Sequence, residues 1–299
     1  MVVSGKSFEE MVEGFILFCI AKGLAKRTIG CYDFALNGLG RFLSTQNGNS
    51  ELSKNSLRKY ITHLLERGLA RHTISIRLRS IRVFCNWLKR EGFVDINPFD
   101  GVDIPRLPKS LPRSLTKSQV KSIMNACNSS SWTGIRNYAM ILTFFDTGIR
   151  LSELIQLNLD DLNLGEWSLR IQHGKGDKER HVFMGRKLHR TMRMWINARG
   201  ITVAQDALFI SSNGERIDKR NVQRILRRIA DRAGLKDVRV SPHRLRHTFA
   251  VEYIRNGGDP FSLQRILGHS SISTTTIYVH LAGAGLREAH AKASPVDRL

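Results

Sequence analysis

The chain has 299 residues, 41% hydrophobic and 24% charged; that is room for two ordinary domains, and the balance argues against a disordered or membrane-embedded class. Lys and Arg number 47 against 26 Asp and Glu, a formal net charge of +21, and the isoelectric point is about 10.5. So basic a surface repels itself until an anion covers it, which ranks nucleic acid first, an anionic membrane second and a generally basic, ribosome-like protein third.

The first predicted helix begins at Ser7, with Glu10 three residues on in a capping-box pattern and Phe8, Met11, Val12, Phe15 and Cys19 at helical spacing. The segment from Lys22 to Ile29, which carries Lys26 and Arg27, is echoed 45 residues later from Arg67 to Ile74. Each copy has a Gly that ends one helix and a Thr (Thr28, Thr73) placed to cap the next, so the region reads as two helical hairpins. The fourth helix, about Thr73–Arg90, holds Arg77, Arg79 and Arg82, with Arg71 just before it and no acid. That composition predicts a phosphate-contacting face. Residues 105–113 form a stiff, basic, Pro-rich linker with Arg106 and Lys109, separating an N-terminal unit (1–104) from a larger one (114–299).

The second unit opens on Thr116 and Gln119, another capping box, with helices predicted at 117–127, 133–146 and 150–157. Leu169–Gln172 and Arg180–Phe183 read as short strands around a Gly174-Lys175-Gly176 turn. Beyond residue 185 the pattern is helical again. The expected fold class is mainly α: a four-helix N-terminal domain and a mostly helical second domain with one small antiparallel sheet. Cys19, Cys31, Cys85 and Cys127 form no C-x-x-C pair, which speaks against zinc or redox motifs and for a reducing cytosol. Acidic residues precede the short apolar stretch Phe15–Ile20, so a signal peptide is not expected, and no apolar run reaches membrane-spanning length.

Several short segments carry chemically capable side chains. Arg150 and Glu153 lie three apart on a helix that starts after Gly148; alone, such a pair is usually a surface ion pair. Lys175 sits between two glycines that permit close approach of a phosphate, although a plain hairpin tip has the same pattern. Ser241-Pro242-His243 places a histidine at a helix N-terminus, with Arg246 on the same face. Gly268 stops a helix begun by Asp259-Pro260, His269 follows, and Tyr278 comes nine residues later. Two Arg, one Lys, two His and one Tyr form a coherent set for phosphoryl transfer without metal or other cofactor. Guanidiniums hold nonbridging oxygens, tyrosine forms a covalent phosphodiester, Lys protonates the leaving oxygen and His handles the tyrosine proton.

In this order, Thr-Gly-Ile-Arg-x-Ser-Glu-Leu, Gly-Lys-Gly-x-Lys-Glu-Arg, His-x-Leu-Arg-His, Leu-Gly-His-Ser and Thr-x-Ile-Tyr-x-His resemble the tyrosine recombinase (phage integrase) family, most closely its Xer-like branch. The motifs span residues 147–280, and the N-terminal hairpins and linker are similar to that family's core-binding (SAM-like) domain. Asp177 stands where the family commonly has Asn. The resemblance implies that Tyr278 attacks the scissile phosphate to give a 3′-phosphotyrosine. Arg150 and Arg246 would clamp the phosphate, with Lys175 as general acid. His243 would act on the tyrosine proton or hold the phosphate, His269 would hydrogen-bond the phosphate, and Glu153 would orient the arginines. It further implies double-stranded DNA with an inverted-repeat core site as partner, held by four protomers, alike or mixed with a second recombinase. The tail beyond Gly285 would dock on a neighbouring protomer. The competing readings are a type IB topoisomerase, a non-catalytic DNA-binding protein on the same scaffold, and an RNA binder, for which no aromatic RNP-type motif is found.

Overall fold

A computed structural model describes residues 6–45, 51–105, 114–127, 130–172, 179–200, 206–269, 271–282, 290, 294 and 296–298. The expected Lys175 turn and the basic linker residues Arg106 and Lys109 lie outside the described residues, as does most of the tail beyond Gly285. The chain divides into two compact units, Met1–Ser110 and Leu111–Leu299. Among the described residues no helix is long and apolar enough to cross a membrane.

The first unit is built from four helices, α1 (Phe8–Ala21), α2 (Lys26–Ser44), α3 (Lys54–Glu66) and α4 (Arg71–Arg90). The capping box of α1 is present in full: the Glu10 N–H donates to Ser7 Oγ (3.2 Å) and the Ser7 N–H to Glu10 Oε2 (2.6 Å). The apolar stripe it launches buries Met11, Val12, Phe15 and Cys19. Phe15 packs against Phe84 and Trp87 with ring centroids 5.4 and 5.5 Å apart, and Leu36, Leu39, Leu57, Tyr60, Ile74 and Leu78 complete the core.

The internal echo is half as expected. Gly23 and Gly68 end α1 and α3 with φ of +71° and +69°, a conformation that costs a residue with a Cβ. The helices that follow, however, are not capped by Thr28 and Thr73. Their N-caps are Ala25 and Ala70, without side-chain caps. The Ala25 carbonyl already accepts from the Thr28 and Ile29 amides (2.8 and 3.2 Å). The threonines therefore sit inside the first turn, where their hydroxyls have no free amide ahead of them to accept from.

The second unit comprises α5 (Lys117–Asn125), α6 (Trp132–Thr147), α7 (Leu151–Gln156), β1 (Leu162–Asn163), β2 (Ser168–Ile171), β3 (Arg180–Phe183), α8 (Arg186–Arg199), α9 (Lys219–Arg232), α10 (Pro242–Arg255), α11 (Pro260–Leu267) and α12 (Ser273–Ala282). The expected fold class holds: mainly helical, with one antiparallel sheet in the order β1-β2-β3. The register pairs Ser168 with Phe183 and Ile171 with Arg180. Strand β1, two residues long, has no periodicity to announce it. Trp195, Phe144, Phe209, Leu169, Val182 and Leu188 form the centre of the core, and the Trp195 indole donates to the Leu208 carbonyl (2.9 Å).

Asp161 anchors the sheet. Its carboxylate accepts from Arg170 Nε (3.1 Å), Gln172 Nε2 (2.6 Å) and the Asn158 amide (2.9 Å) while remaining 3% exposed. This fixes the end of β2 from which the chain leaves towards residue 173.

Candidate active site

Two helix C-termini build the site. Helix α6 ends at Gly148, φ +61°, and a Cβ there would lie 2.3 Å from Phe249 Cδ1. Helix α11 ends at Gly268, φ +63°. Each end leaves carbonyls without intrahelical partners and carries partial negative charge. Three arginines use them. Arg180 Nε donates to the Ile266 carbonyl (2.8 Å), Arg246 Nη2 to the Leu267 carbonyl (2.7 Å) and Arg150 Nη2 to the Gly268 carbonyl (3.1 Å), so three consecutive carbonyls hold three guanidiniums. Arg246 Nη1 reaches across to the Gly148 carbonyl (2.7 Å). Gly148→Ala combines a strained φ with a collision, and a loss of about 2–5 kcal/mol is expected. Urea unfolding read by circular dichroism measures it, and a midpoint equal to wild type would contradict this packing.

One carboxylate serves two of the three cations directly. Glu153 Oε1 accepts from Arg150 Nη1 (2.7 Å) and Arg180 Nη1 (3.0 Å), and Oε2 from Arg180 Nη2 (2.8 Å) and the Arg150 amide (2.7 Å). Glu153 is 4% exposed. Burial pushes its carboxyl up, but the Arg180 and Arg150 hydrogen bonds and charges outweigh burial and hold it below the ordinary range. Arg246, also 4% exposed, is drawn down to about 10 by burial and by the neighbouring Arg150; it stays charged at neutral pH. The cluster therefore carries an excess of positive charge in a half-sheltered site, which is the electrostatic description of an anion site.

The histidines and the tyrosine border this cluster. Arg246 Nη2 donates to His269 Nε2 (3.1 Å), and because a guanidinium only donates, His269 holds its proton on Nδ1 and gives it to Thr275 Oγ1 (3.1 Å). Burial and then Arg246, Arg150 and Arg180 hold His269 down to about 4. The Tyr278 ring stacks on His269 with centroids 6.4 Å apart. Tyr278 is 3% exposed, and burial raises its pKa, with Arg246 opposing. Its hydroxyl lies 2.7 Å from His247 Nδ1, and His247 Nε2 lies 2.8 Å from His243 Nε2.

Arg150, Glu153, Arg246, His269 and Tyr278 are thus brought together, and His243 stands one hydrogen bond behind His247 at the start of α10, where Ser241 Oγ caps the helix and Pro242 opens it. Arg180 and His247 belong to the same constellation but were not singled out by the sequence reading. Their signals were present: Arg180 closes the Gly-Lys-Gly-x-Lys-Glu-Arg segment, and His247 lies four residues from His243, on one helix face. In the first unit, Lys26 and Arg27 are exposed at the start of α2. Arg71, Arg79 and Arg82 are exposed and fall within one face of α4, whereas Arg77 is half-buried with its guanidinium 4.9 Å from the Phe34 ring of α2. No carboxylate forms an ion pair with these residues among the described ones. No group of three or more His, Cys, Asp or Glu placed to hold a metal occurs among the described residues.

A helical domain holding a buried tyrosine beside clustered guanidiniums defines a class of phosphate-handling protein, and the comparisons with known proteins name it. The model described as "Phage integrase family" matches residues 113–284, and that for "Phage integrase, N-terminal SAM-like domain" matches residues 12–92. "Tyrosine recombinase XerC" of Bacillus pumilus (strain SAFR-032) is 33% identical over 297 residues, covering 96% of this chain and 97% of the relative. Among solved structures, the crystal structure of XerA recombinase is 26% identical, covering 97% of this chain and 99% of the other, with a TM-score of 0.54. The Tn1549 transposon integrase (Y379F) in complex with transposon right end DNA shares the fold at a TM-score of 0.77 and 20% identity, over 98% of this chain and all of that one. This chain belongs to the phage integrase family of tyrosine recombinases, on its Xer-like branch.

Proposed function

We propose that the chain cuts and rejoins duplex DNA at a specific site by way of a 3′-phosphotyrosine and a Holliday junction, with neither metal nor ATP taking part. The observation that carries this is the placement of the Tyr278 hydroxyl among His247, His269 and a guanidinium cluster with a single carboxylate. In this reading Arg150 and Arg246 grip the nonbridging oxygens of the scissile phosphate, Glu153, itself fixed by Arg180, holds Arg150, the Gly148 and Leu267 carbonyls hold Arg246, and His269 acts as a hydrogen-bond donor to the phosphate. Tyr278 Oη attacks phosphorus, the bond to the 5′ oxygen breaks, and Lys175 protonates that oxygen. The phosphotyrosine conserves the energy of the phosphodiester, so a 5′-hydroxyl from another strand reverses the step without an external energy source.

Lys26, Arg27, Arg71, Arg79 and Arg82, with Arg106 and Lys109 of the linker, are assigned to the DNA backbone, so that with Arg150 and Arg246 of the second unit the duplex is contacted from both domains. Four protomers on two inverted-repeat sites, identical or paired with a second recombinase, perform the exchange in the cytoplasm. The likeness to relatives named XerC favours resolution of joined DNA circles over integration or excision of a mobile element.

Arg246→Lys keeps a charge but cannot serve the Gly148 and Leu267 carbonyls, His269 and a phosphate together. Its adduct formation is expected to fall about 10²–10³-fold, measured by single-turnover cleavage; a change under threefold would exclude Arg246 from the phosphate.

The test of the function itself is to mix the protein with fragmented DNA from its source in EDTA, denature rapidly, recover protein-linked DNA and sequence its ends. Ends clustered at one inverted repeat are expected. Ends scattered without a site would instead indicate topoisomerase-like relaxation, and bound DNA without any adduct would indicate a non-catalytic binder or an absent partner.

A further inference from the structure

Beyond the guanidinium cluster, two histidines that the proposed steps leave unused are lined up behind the Tyr278 hydroxyl in the second unit. The chain of groups runs from Tyr278 Oη on α12 through the His247 ring to the His243 ring on the first turn of α10. Hydrogen-bond satisfaction orients it. Tyr278 is nearly fully buried, and His247 Nδ1 is the sole hydrogen-bond partner of its hydroxyl among the described residues. A buried phenol that donated nowhere would lose a hydrogen bond outright. The phenol therefore donates to Nδ1, His247 carries its proton on Nε2, and that proton is aimed at His243 Nε2. His243 is exposed at its helix N-terminus, so the chain leads from a buried hydroxyl to water.

We infer that His247 is a further catalytic residue, the group that takes the Tyr278 proton as the nucleophile forms and relays it through His243 to solvent. The inference rests on the proposed tyrosine chemistry and deepens it. The Oη–H bond breaks towards His247 Nδ1 as the Oη–P bond forms, and the P–O5′ bond breaks with its oxygen protonated by Lys175. The imidazolium of His247 then releases its Nε2 proton to His243, so proton and charge balance over the step. Rejoining runs the same path backwards, with His247 returning the proton to the departing phenolate.

The surroundings keep His247 neutral before the step. Among the described residues, the titratable and charged groups facing His247 are His243 and Arg246 from its own helix, His269 from the end of α11, and Tyr278 from α12, with no carboxylate. Burial, then His243, Arg246 and His269, hold His247 down to about 4, so its Nδ1 carries no proton at neutral pH and can accept from Tyr278. A bound phosphodiester adds negative charge beside Arg246 and raises the basicity of His247 when it is needed. Single-residue spacing explains the division of labour within His-x-Leu-Arg-His. Residues 243 and 247 share a face one turn apart, Arg246 points into the phosphate cluster and Leu245 into the core.

The experiment is single-turnover adduct formation, from about pH 3.5 to about pH 9 so that the acid limb of a group held near 4 is covered, on a duplex oligonucleotide carrying the site recovered in the sequencing experiment. Wild type, His247→Asn and His247→Gly are compared, with DNA binding measured in parallel as the check of folding. Asn keeps a hydrogen-bond partner near Nδ1 but cannot accept a proton. The expected result is an adduct rate reduced about 10²-fold or more in both variants, loss of the acid limb of the pH profile, and restoration of the Gly variant by imidazole in the buffer. An Asn variant at the wild-type rate would overturn the inference. So would a slow variant that keeps the wild-type pH profile and ignores imidazole, because the ring would then only position the tyrosine. If wild type itself forms no adduct, the tyrosine chemistry fails first, and the two failures are told apart.

Discussion

Tyr278→Phe is expected to abolish covalent DNA adducts while leaving the fold and DNA binding in place. The phenol ring does the packing: Tyr278, 3% exposed, belongs to the same core cluster as Phe249, Ile254 and Leu263, and its ring stacks on His269. Phe retains those contacts. Among the described residues the hydroxyl contributes a single hydrogen bond, to His247, whose removal costs about 1 kcal/mol. The guanidiniums make no hydrogen bond to it among the described residues; they are held by Glu153 and by the carbonyls of Gly148, Ile266, Leu267 and Gly268. Affinity for the site is therefore expected within about threefold of wild type in a gel-shift titration, an effect below 1 kcal/mol. Adduct yield should fall below detection, because no other hydroxyl occupies that position. A Phe variant that still forms adducts would move the nucleophile elsewhere.

Glu153→Ala is the substitution with the largest expected effect on stability. Deleting the carboxylate leaves Arg150, Arg180 and Arg246 packed together with only carbonyl dipoles and the neutral His269 ring as their hydrogen-bond partners among the described residues. Breaking a buried ion pair on one side typically costs about 3–5 kcal/mol, because the remaining charge stays buried and uncompensated. For a unit of this size that is a fall in Tm of roughly 10 °C. Glu153→Gln, which keeps shape and part of the hydrogen bonding, should lose less. Calorimetry of the two variants beside wild type measures this, and an Ala variant with wild-type Tm would show that the cations are relieved by water rather than by Glu153. Catalysis should suffer with stability, since Glu153 accepts both the Arg150 amide and its guanidinium and so fixes the residue at the head of α7.

Helix starts and stops were the most legible part of the fold. Ser7 with Glu10, Thr116 with Gln119, Ser241 with Pro242, Asp259 with Pro260, and Gly268 all act within one turn of chain, and all cap as their spacing predicts. Thr28 and Thr73 misled for the same local reason. The αL glycine and the two residues after it restart the helix at alanine, earlier than a hydroxyl-bearing residue would suggest. Strand β1 gave no signal because two residues have no period. In the site, Arg150 and Glu153 could be paired by spacing alone, but spacing could not tell a surface pair from a buried one. What decides it is Arg180, brought from 27 residues away by the β2–β3 register. His247 was visible inside a motif, yet its partner Tyr278 arrives from α12, 31 residues on, by a tertiary contact that no local pattern carries. Residues that act through short-range chemistry were readable; those that act by convergence needed the fold.

The most direct test of the central claim is to trap the protein–DNA adduct, digest the DNA to a single residual nucleotide and find by mass spectrometry which amino acid carries it and through which end. The account predicts a nucleotide joined by its 3′ phosphate to Tyr278. A nucleotide joined through its 5′ phosphate, or one carried by any other side chain, would contradict it.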